Sequence, residues 1–316
     1  MLCAVPALRA LRVALPQAHI ALVGLPWAAQ FAHRFGHYLD AFHAFPGHPL
    51  FPEQPFRAEE DEAFRQAMRA EHFDLAIQLH GSGEVSNGIV LQWGARHCAG
   101  YAAQASGEQG EAQSWFSYPQ QGPEPVRLLS LVNLLGASEK EDHLEFPLHP
   151  PDWAELQRSG LAAGLSPGSY VCVHPGARFR DKCWPPERFA QVADTLCEEF
   201  NLRVVLTGSA KEAERTRAVA SRMRMPAIDT ASPLSIGAMA ALMSGARLLI
   251  CNDTGVSHIA AGLQLKSVVI FNQADMARWA PLDRRLHRCV HDPGGERVDD
   301  VLQQARQLLT GPGHCG

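Results

Sequence analysis

The strongest constraint on this chain lies in its second half, where short apolar runs and amphipathic stretches alternate without a break. Strands are predicted over 170–173, 203–206, 227–229, 248–251 and 268–271, and helices over 186–200, 211–223, 234–243, 254–263 and 298–309. The first helix sets Phe189, Val192, Ala193, Leu196 and Phe200 along one face, the period of a helix lying on a core. Strands alternating with helices pair in parallel, because each helix carries the chain back across the sheet, and helices cover both faces. Such sheets take ligands outside the carboxyl ends of their strands. The turns after these strands are therefore where chemistry is expected.

The first half reads less regularly. Val5, Leu8, Leu11 and Leu15 mark a helix, with Arg9 and Arg12 on another side, Pro6 in its first turn and Pro16 ending it. A strand over 19–23 follows. A helix ahead of a strand is normally the crossover of a strand–helix–strand unit, so a first strand is expected that the sequence as given lacks. Residues 1–39 contain no Ser or Thr, unlike a transit peptide, and Arg9 and Arg12 interrupt any secretory apolar region. His33 and His37 have an i, i+4 spacing but no neighbouring Cys or carboxylate to complete a zinc set, and read as polar surface residues. A helix over 59–70 with an acidic first turn leads to a strand over 73–79 and the turn His80-Gly81-Ser82-Gly83. The Gln-, Gly-, Ser- and Pro-rich stretch 104–125 reads as a long surface loop, whose Trp115, Phe116 and Tyr118 either touch a ligand or pin it down.

The 316 residues suffice for about two domains. The linker is predicted around Pro147, Pro150 and Pro151, between a first domain over 1–150 and a second over 165–316. A net charge of −5 supplies no basic field for nucleic acid. Residues 1–150 carry 9 basic against 16 acidic side chains, and 151–316 carry 19 against 17, so an anionic ligand suits the second half better. The eight cysteines form no Cys-x-x-Cys pair, and several lie in apolar runs, as buried thiols of a reducing cytosol do. No apolar run approaches the length of a membrane span.

Three strand ends carry chemistry. The first is His174-Pro175-Gly176-Ala177, running on to Lys182-Cys183-Trp184-Pro185. Gly176 lets backbone N–H groups approach an anion, and Lys182, one of four lysines among 28 basic residues, supplies a point charge suited to phosphate; a solvated loop lysine is the plainer reading. The second is Gly208-Ser209-Ala210-Lys211-Glu212, where Glu212, with Glu214 in reserve, is a candidate for ribose hydroxyls or simply a helix-start carboxylate. The third is Asn252-Asp253-Thr254-Gly255-Val256-Ser257-His258. Asp253 or Thr254 can cap the helix opening there, and its free N–H groups and dipole suit a pyrophosphate. This block matches neither Gly-x-Gly-x-x-Gly nor a P-loop.

Together these blocks, with Pro6-Ala7-Leu8-Arg9-Ala10-Leu11, resemble glycosyltransferase family 9, the ADP-heptose:lipopolysaccharide heptosyltransferases. The likeness runs in order along nearly the whole chain and is looser between 30 and 150. It implies an α/β GT-B fold, two Rossmann-like domains with parallel sheets facing a central cleft, with the acceptor on the N-terminal side and the nucleotide sugar on the C-terminal side. Lys182 would then contact the donor phosphates and Glu212 the ribose. Asp253 and the backbone from Thr254 through Gly255, Val256 and Ser257 to His258 would hold pyrophosphate and sugar, beside His174, Pro175, Gly176 and Ala177. No Asp-x-Asp triplet is present, so metal-independent transfer without a cofactor is expected, Lys182 and the helix end neutralising the departing charge. The expected partners are a nucleotide sugar and a glycolipid or glycan acceptor, in the cytoplasm, with peripheral contact at the inner membrane in which Arg9 and Arg12 take part or remain a solvated helix face. The family's Gly-Asp, carrying its proposed general base, would precede Leu2. That departure keeps open a nucleotide-sugar-binding protein with weak or no catalysis; a sugar epimerase of the same fold and a nicotinamide oxidoreductase are further rivals.

Overall fold

The computed structural model describes residues 1–103, 112–177 and 179–311. The chain divides into two compact units, the first reaching Asp142 and the second starting at His143.

The first unit contains α1 (Val5–Ala14), β1 (Ala21–Gly24), α2 (Ala29–Arg34), β2 (Ala41–Ala44), α3 (Ala58–Ala70), β3 (Leu75–Gln78), α4 (Ser86–Leu91), β4 (His97–Ala102), β5 (Gln113–Ser117) and α5 (Glu124–Leu134). Strands β1 and β2 form a parallel pair, and β3, β4 and β5 a separate parallel sheet in that order. Pro6 sits in the first turn of α1, where its missing N–H costs nothing. Val5, Ala7, Leu8 and Ala10 are buried, whereas Leu15, expected on the same stripe, lies past the helix end and is exposed. Arg12 is not a solvated cation. Its guanidinium donates to the Ala18 carbonyl at 2.8 Å and the Tyr38 carbonyl at 3.0 Å, and pairs with the Asp40 carboxylate. Arg9 donates to the Tyr38 hydroxyl at 3.2 Å and the Glu141 carbonyl at 3.3 Å.

The expected loop over 104–125 is corrected in its second part; residues 104–111 lie outside the described ones. Gln113–Ser117 pairs with β4 in the register Cys98↔Gln113, and Trp115 packs with Ala76, Val90 and Cys98. Polar flanks hide a strand of only five residues. Trp115 and Tyr118 do pin the segment: the buried Arg127 donates to the Tyr118 hydroxyl at 3.1 Å and the Gln120 carbonyl at 2.9 Å.

The second unit contains α6 (Pro150–Ser159), β6 (Tyr170–His174), α7 (Pro186–Phe200), β7 (Arg203–Leu206), α8 (Ala213–Ala220), β8 (Ala227–Asp229), α9 (Ile236–Ser244), β9 (Leu248–Asn252), α10 (Gly255–Gly262), β10 (Ser267–Phe271), α11 (Met276–Trp279), β11 (His287–His291) and α12 (Val298–Thr310). The proline-rich stretch read as a linker begins this unit instead. Pro150 and Pro151 occupy the first turn of α6, the Asp152 carboxylate accepts the His149 N–H at 2.9 Å, and Phe146 N–H donates to the Gly262 carbonyl at 3.2 Å. Proline suits a helix start as well as a linker, and only the packing tells them apart.

All six strands are parallel, in the order β11-β10-β9-β6-β7-β8. The chain lays down β6, β7 and β8 in one direction, then returns to place β9 on the other flank of β6. The order in which strands are added thus reverses between β6 and β9, which opens a crevice at their carboxyl ends. Alternate residues feed two cores. Val171, Val173, Val204, Leu206, Ile250 and Ile270 meet α7 and α12 on one face. Tyr170, Cys172, Val205, Leu249, Cys251 and Val269 meet α9 and α10 on the other. The expected helix over 211–223 is a single 3-10 turn, Ala210–Glu212, followed by the shorter α8. Strand β11 escaped the sequence reading because an edge strand, covered less fully, tolerates the polar run from His287 to His291. All described cysteines are free thiols, and Cys315 lies outside the described residues.

Candidate active site

The three expected strand ends fall side by side, because β9, β6 and β7 are neighbours. At the end of β6, His174 is buried, with Nδ1 3.1 Å from the Thr207 hydroxyl and Nε2 3.7 Å from Glu212 Oε1. Glu212 folds back on its own turn: Oε2 accepts the Ser209 N–H at 2.8 Å and the Ser209 hydroxyl at 2.7 Å. The facing His174 ring and these donors outweigh burial and pull the Glu212 carboxyl down to about 2.

Gly176 serves this carboxylate. A Cβ there would stand 2.0 Å from Glu212 Oε1, so the space above its Cα holds an acidic group rather than lying open to an anion. Glu214, the reserve candidate, points elsewhere: it faces Arg180 at 3.8 Å with both side chains largely exposed.

Lys182 ends a 3-10 turn, Arg180–Lys182, and its ammonium lies 3.3 Å from Asp253 Oδ2. The two side chains are 31% and 9% exposed, so the lysine faces the crevice rather than bulk solvent. Burial raises the Asp253 carboxyl above its ordinary value even though Lys182 acts to lower it.

Asp253 leads into α10. Thr254 occupies the capping position in extended conformation, but neither side chain makes the expected cap hydrogen bond to the helix. Gly255 has open space where a Cβ would point. The Ser257 N–H is taken by the Thr254 carbonyl at 3.0 Å, while the dipole and the Gly255 and Val256 N–H groups are left without a side-chain cap. Val256 and Ser257 turn their side chains inward, and the Ser257 hydroxyl donates to the Thr254 carbonyl at 2.8 Å. Burial lowers the His258 imidazole to about 4, so it is neutral at physiological pH. Among the described residues, no group of three or more His, Cys, Asp or Glu side chains converges as a metal cage would.

Pro175 and Ala177 belong to the loop that carries Lys182. What the sequence reading passed over is what holds that loop. Asn252, at the end of β9, donates to the Pro175 and Gly176 carbonyls and accepts the Trp184 N–H. The Trp184 indole donates to Asp292. A polar residue closing a wholly apolar strand was the available signal.

Comparison with known proteins agrees with this architecture. A family model described as "Glycosyltransferase family 9 (heptosyltransferase)" matches residues 62–300. Lipopolysaccharide heptosyltransferase 3 of Escherichia coli is 28% identical over 158 residues, covering 48% of this chain and 45% of the relative. The chain therefore spans under half the length of that curated relative. A family 9 glycosyl transferase structure from Veillonella parvula DSM 2008 superposes with a TM-score of 0.83 at 18% identity, over 98% of this chain and 93% of that one. The structure of E. coli heptosyltransferase WaaC with ADP gives a TM-score of 0.72 at 20% identity, over 97% and 95%. These likenesses establish the fold, which is GT-B. With the family model covering most of its length, the chain belongs to glycosyltransferase family 9, the heptosyltransferase family.

Proposed function

We propose that this protein is an inverting glycosyltransferase that moves a sugar from a nucleotide diphosphate, ADP-heptose in the first place, to a hydroxyl of a lipopolysaccharide core or related glycan. The observation that carries this reading is the Lys182 ammonium held 3.3 Å from Asp253 beside the uncapped start of α10, at the point where the order of strand addition reverses. A solved heptosyltransferase of the same fold is described with ADP, which supports an adenine nucleotide here.

The acceptor oxygen attacks the anomeric carbon from the face opposite the diphosphate. The bond from that carbon to the phosphate oxygen breaks, the configuration inverts, and a base takes the hydroxyl proton. Charge grows on the departing ADP as this bond stretches. Lys182 and the Gly255 and Val256 N–H groups of α10 supply the positive charge and donors that stabilise it. That supply of positive charge is the reason to propose transfer without a metal or other cofactor. Asp253 accepts a sugar hydroxyl, and Glu212, ionised and locked by Ser209, accepts from the ribose. His174 holds Glu212 in place. The reaction is proposed to run in the cytoplasm, with the glycolipid presented at the inner membrane; among the described residues no helix is long and apolar enough to cross a membrane.

Calorimetric titration with ADP, ADP-heptose, UDP- and GDP-sugars and NAD, each with and without EDTA, tests the reading. ADP and ADP-heptose are expected to bind irrespective of EDTA. Tight NAD binding with none to any nucleotide sugar would overturn it.

A further inference from the structure

The Lys182 loop leaves the sheet after β6 and returns at α7, and its described residues include one 3-10 turn: Lys182 N–H donates to the Phe179 carbonyl at 3.2 Å and Cys183 N–H to the Arg180 carbonyl at 3.1 Å. A long flexible side chain on a short turn carries rotational freedom that must be restrained for its ammonium to sit at a fixed point. One buried side chain reaches both ends of the loop. Asn252, wholly buried at the end of β9, donates from Nδ2 to the Pro175 carbonyl at 2.9 Å and to the Gly176 carbonyl at 3.2 Å. Its Oδ1 accepts the Trp184 N–H at 2.9 Å. One amide thus ties the outgoing and the returning end of the loop to the strand whose next residue is Asp253.

We infer that Asn252 is a positioning residue for Lys182, stapling both ends of the 176–184 loop so that the ammonium meets the diphosphate of the donor; this rests on the proposed role of Lys182. Only an amide meets the requirement. It offers two donors and an acceptor at one position, whereas a carboxylate would face two carbonyl oxygens and an aliphatic side chain would strand three buried backbone groups. The returning end is fixed from outside as well. Trp184 is fully buried, stands edge-on to Phe189 at 5.2 Å, and donates from its indole nitrogen to Asp292 Oδ2 at 2.7 Å. Asp292 in turn accepts the N–H groups of Glu296 and Arg297, each at 3.0 Å. The brace runs from β9 through Trp184 to the segment ahead of α12.

A double-mutant cycle on ADP binding separates positioning from a plain contribution to folding. Lys182→Ala, Asn252→Ser and the double variant are titrated with ADP by calorimetry at a temperature where each is folded by circular dichroism. Lys182→Ala is expected to weaken binding roughly 10- to 150-fold and Asn252→Ser roughly 5- to 30-fold. The double variant should bind within about 2-fold of Lys182→Ala alone, because a misplaced lysine that is no longer there costs nothing more. Losses that multiply across the cycle, or an Asn252→Ser protein that binds ADP like the wild type, would overturn the staple while leaving Lys182 as a phosphate ligand. If Lys182→Ala itself binds ADP normally, the proposed function falls and this inference with it. Should Asn252→Ser fail to fold, Trp184→Phe takes its place: it keeps the ring and removes the indole donor, and the same non-additivity with Lys182→Ala is expected.

Discussion

Replacing Lys182 by alanine removes the positive charge 3.3 Å from the Asp253 carboxylate and leaves that carboxylate 9% exposed without its cation. Two unit charges about 4 Å apart near a protein surface attract by roughly 4 kcal/mol before desolvation and motion are counted. Lys182 keeps 31% of its side chain in solvent, so the net loss of stability is about 1–2 kcal/mol. The effect on the donor is larger. A hydrogen bond to a charged group contributes about 1.5–3 kcal/mol, which corresponds to roughly 10- to 150-fold in Kd for ADP. The stranded Asp253 adds repulsion toward the diphosphate.

That repulsion has a pH signature. Burial already raises the Asp253 carboxyl, and Lys182 is what opposes the rise; without the lysine it climbs further. The folded protein then holds this proton more tightly than the unfolded chain does. The ionised carboxylate therefore costs stability above its raised value, and the cost fades as pH falls through it. Affinity and stability of Lys182→Ala should both recover in part as pH falls from neutral toward the ordinary carboxylate range, measured by ADP calorimetry and urea melts beside the wild type. A folded Lys182→Ala protein with wild-type Kd, or a deficit that grows on acidification, would refute the electrostatic account.

Glu212 behaves with the opposite sign. Its carboxyl is lowered from 4.5 to about 2, so its contribution is present above the ordinary value and lost as pH falls from there toward about 2; Glu212→Gln should cost about 1–3 kcal/mol at neutral pH and flatten that part of the acid-unfolding curve, and matching curves for the two proteins would count against it. Gly176→Ala forces a Cβ to within 2.0 Å of Glu212 Oε1, and the overpacking should cost about 1–3 kcal/mol. The same variant should raise the donor KM, and an unchanged melting temperature with an unchanged KM would show that the turn yields freely.

The second unit was legible because its strands are buried on both faces and so read as unbroken apolar runs between amphipathic helices. Tyr170, Leu248 and Val268 opened strands within a residue of where they were expected, and α7 matched its expected bounds. The first unit was harder. Strand β5 is only five residues long, with Gln113 at its start and Ser117 at its end, and a polar frame around one buried tryptophan carries no period. Prolines misled at α6, since fixed φ suits a helix start and a linker alike. In the site, Lys182, Asp253 and Glu212 were visible as charged residues at strand ends. The contacts that brace the loop around them were not. Asn252 lies 77 residues from Pro175 along the chain and Trp184 lies 108 from Asp292, and nothing local marks such a pair.

From its residues alone, this protein reads as a parallel α/β chain with an anion site expected after the β9 strand, because hydrophobic period, glycine placement and strand-end charge are local properties that physics reads a few residues at a time. The return of the chain to the far flank of β6, the carboxylate that fills the room above Gly176 and the amide that ties down the Lys182 loop all belong to the folded state. Each joins groups far apart in sequence, and their energies exist only once the apolar cores have brought those groups within hydrogen-bonding range.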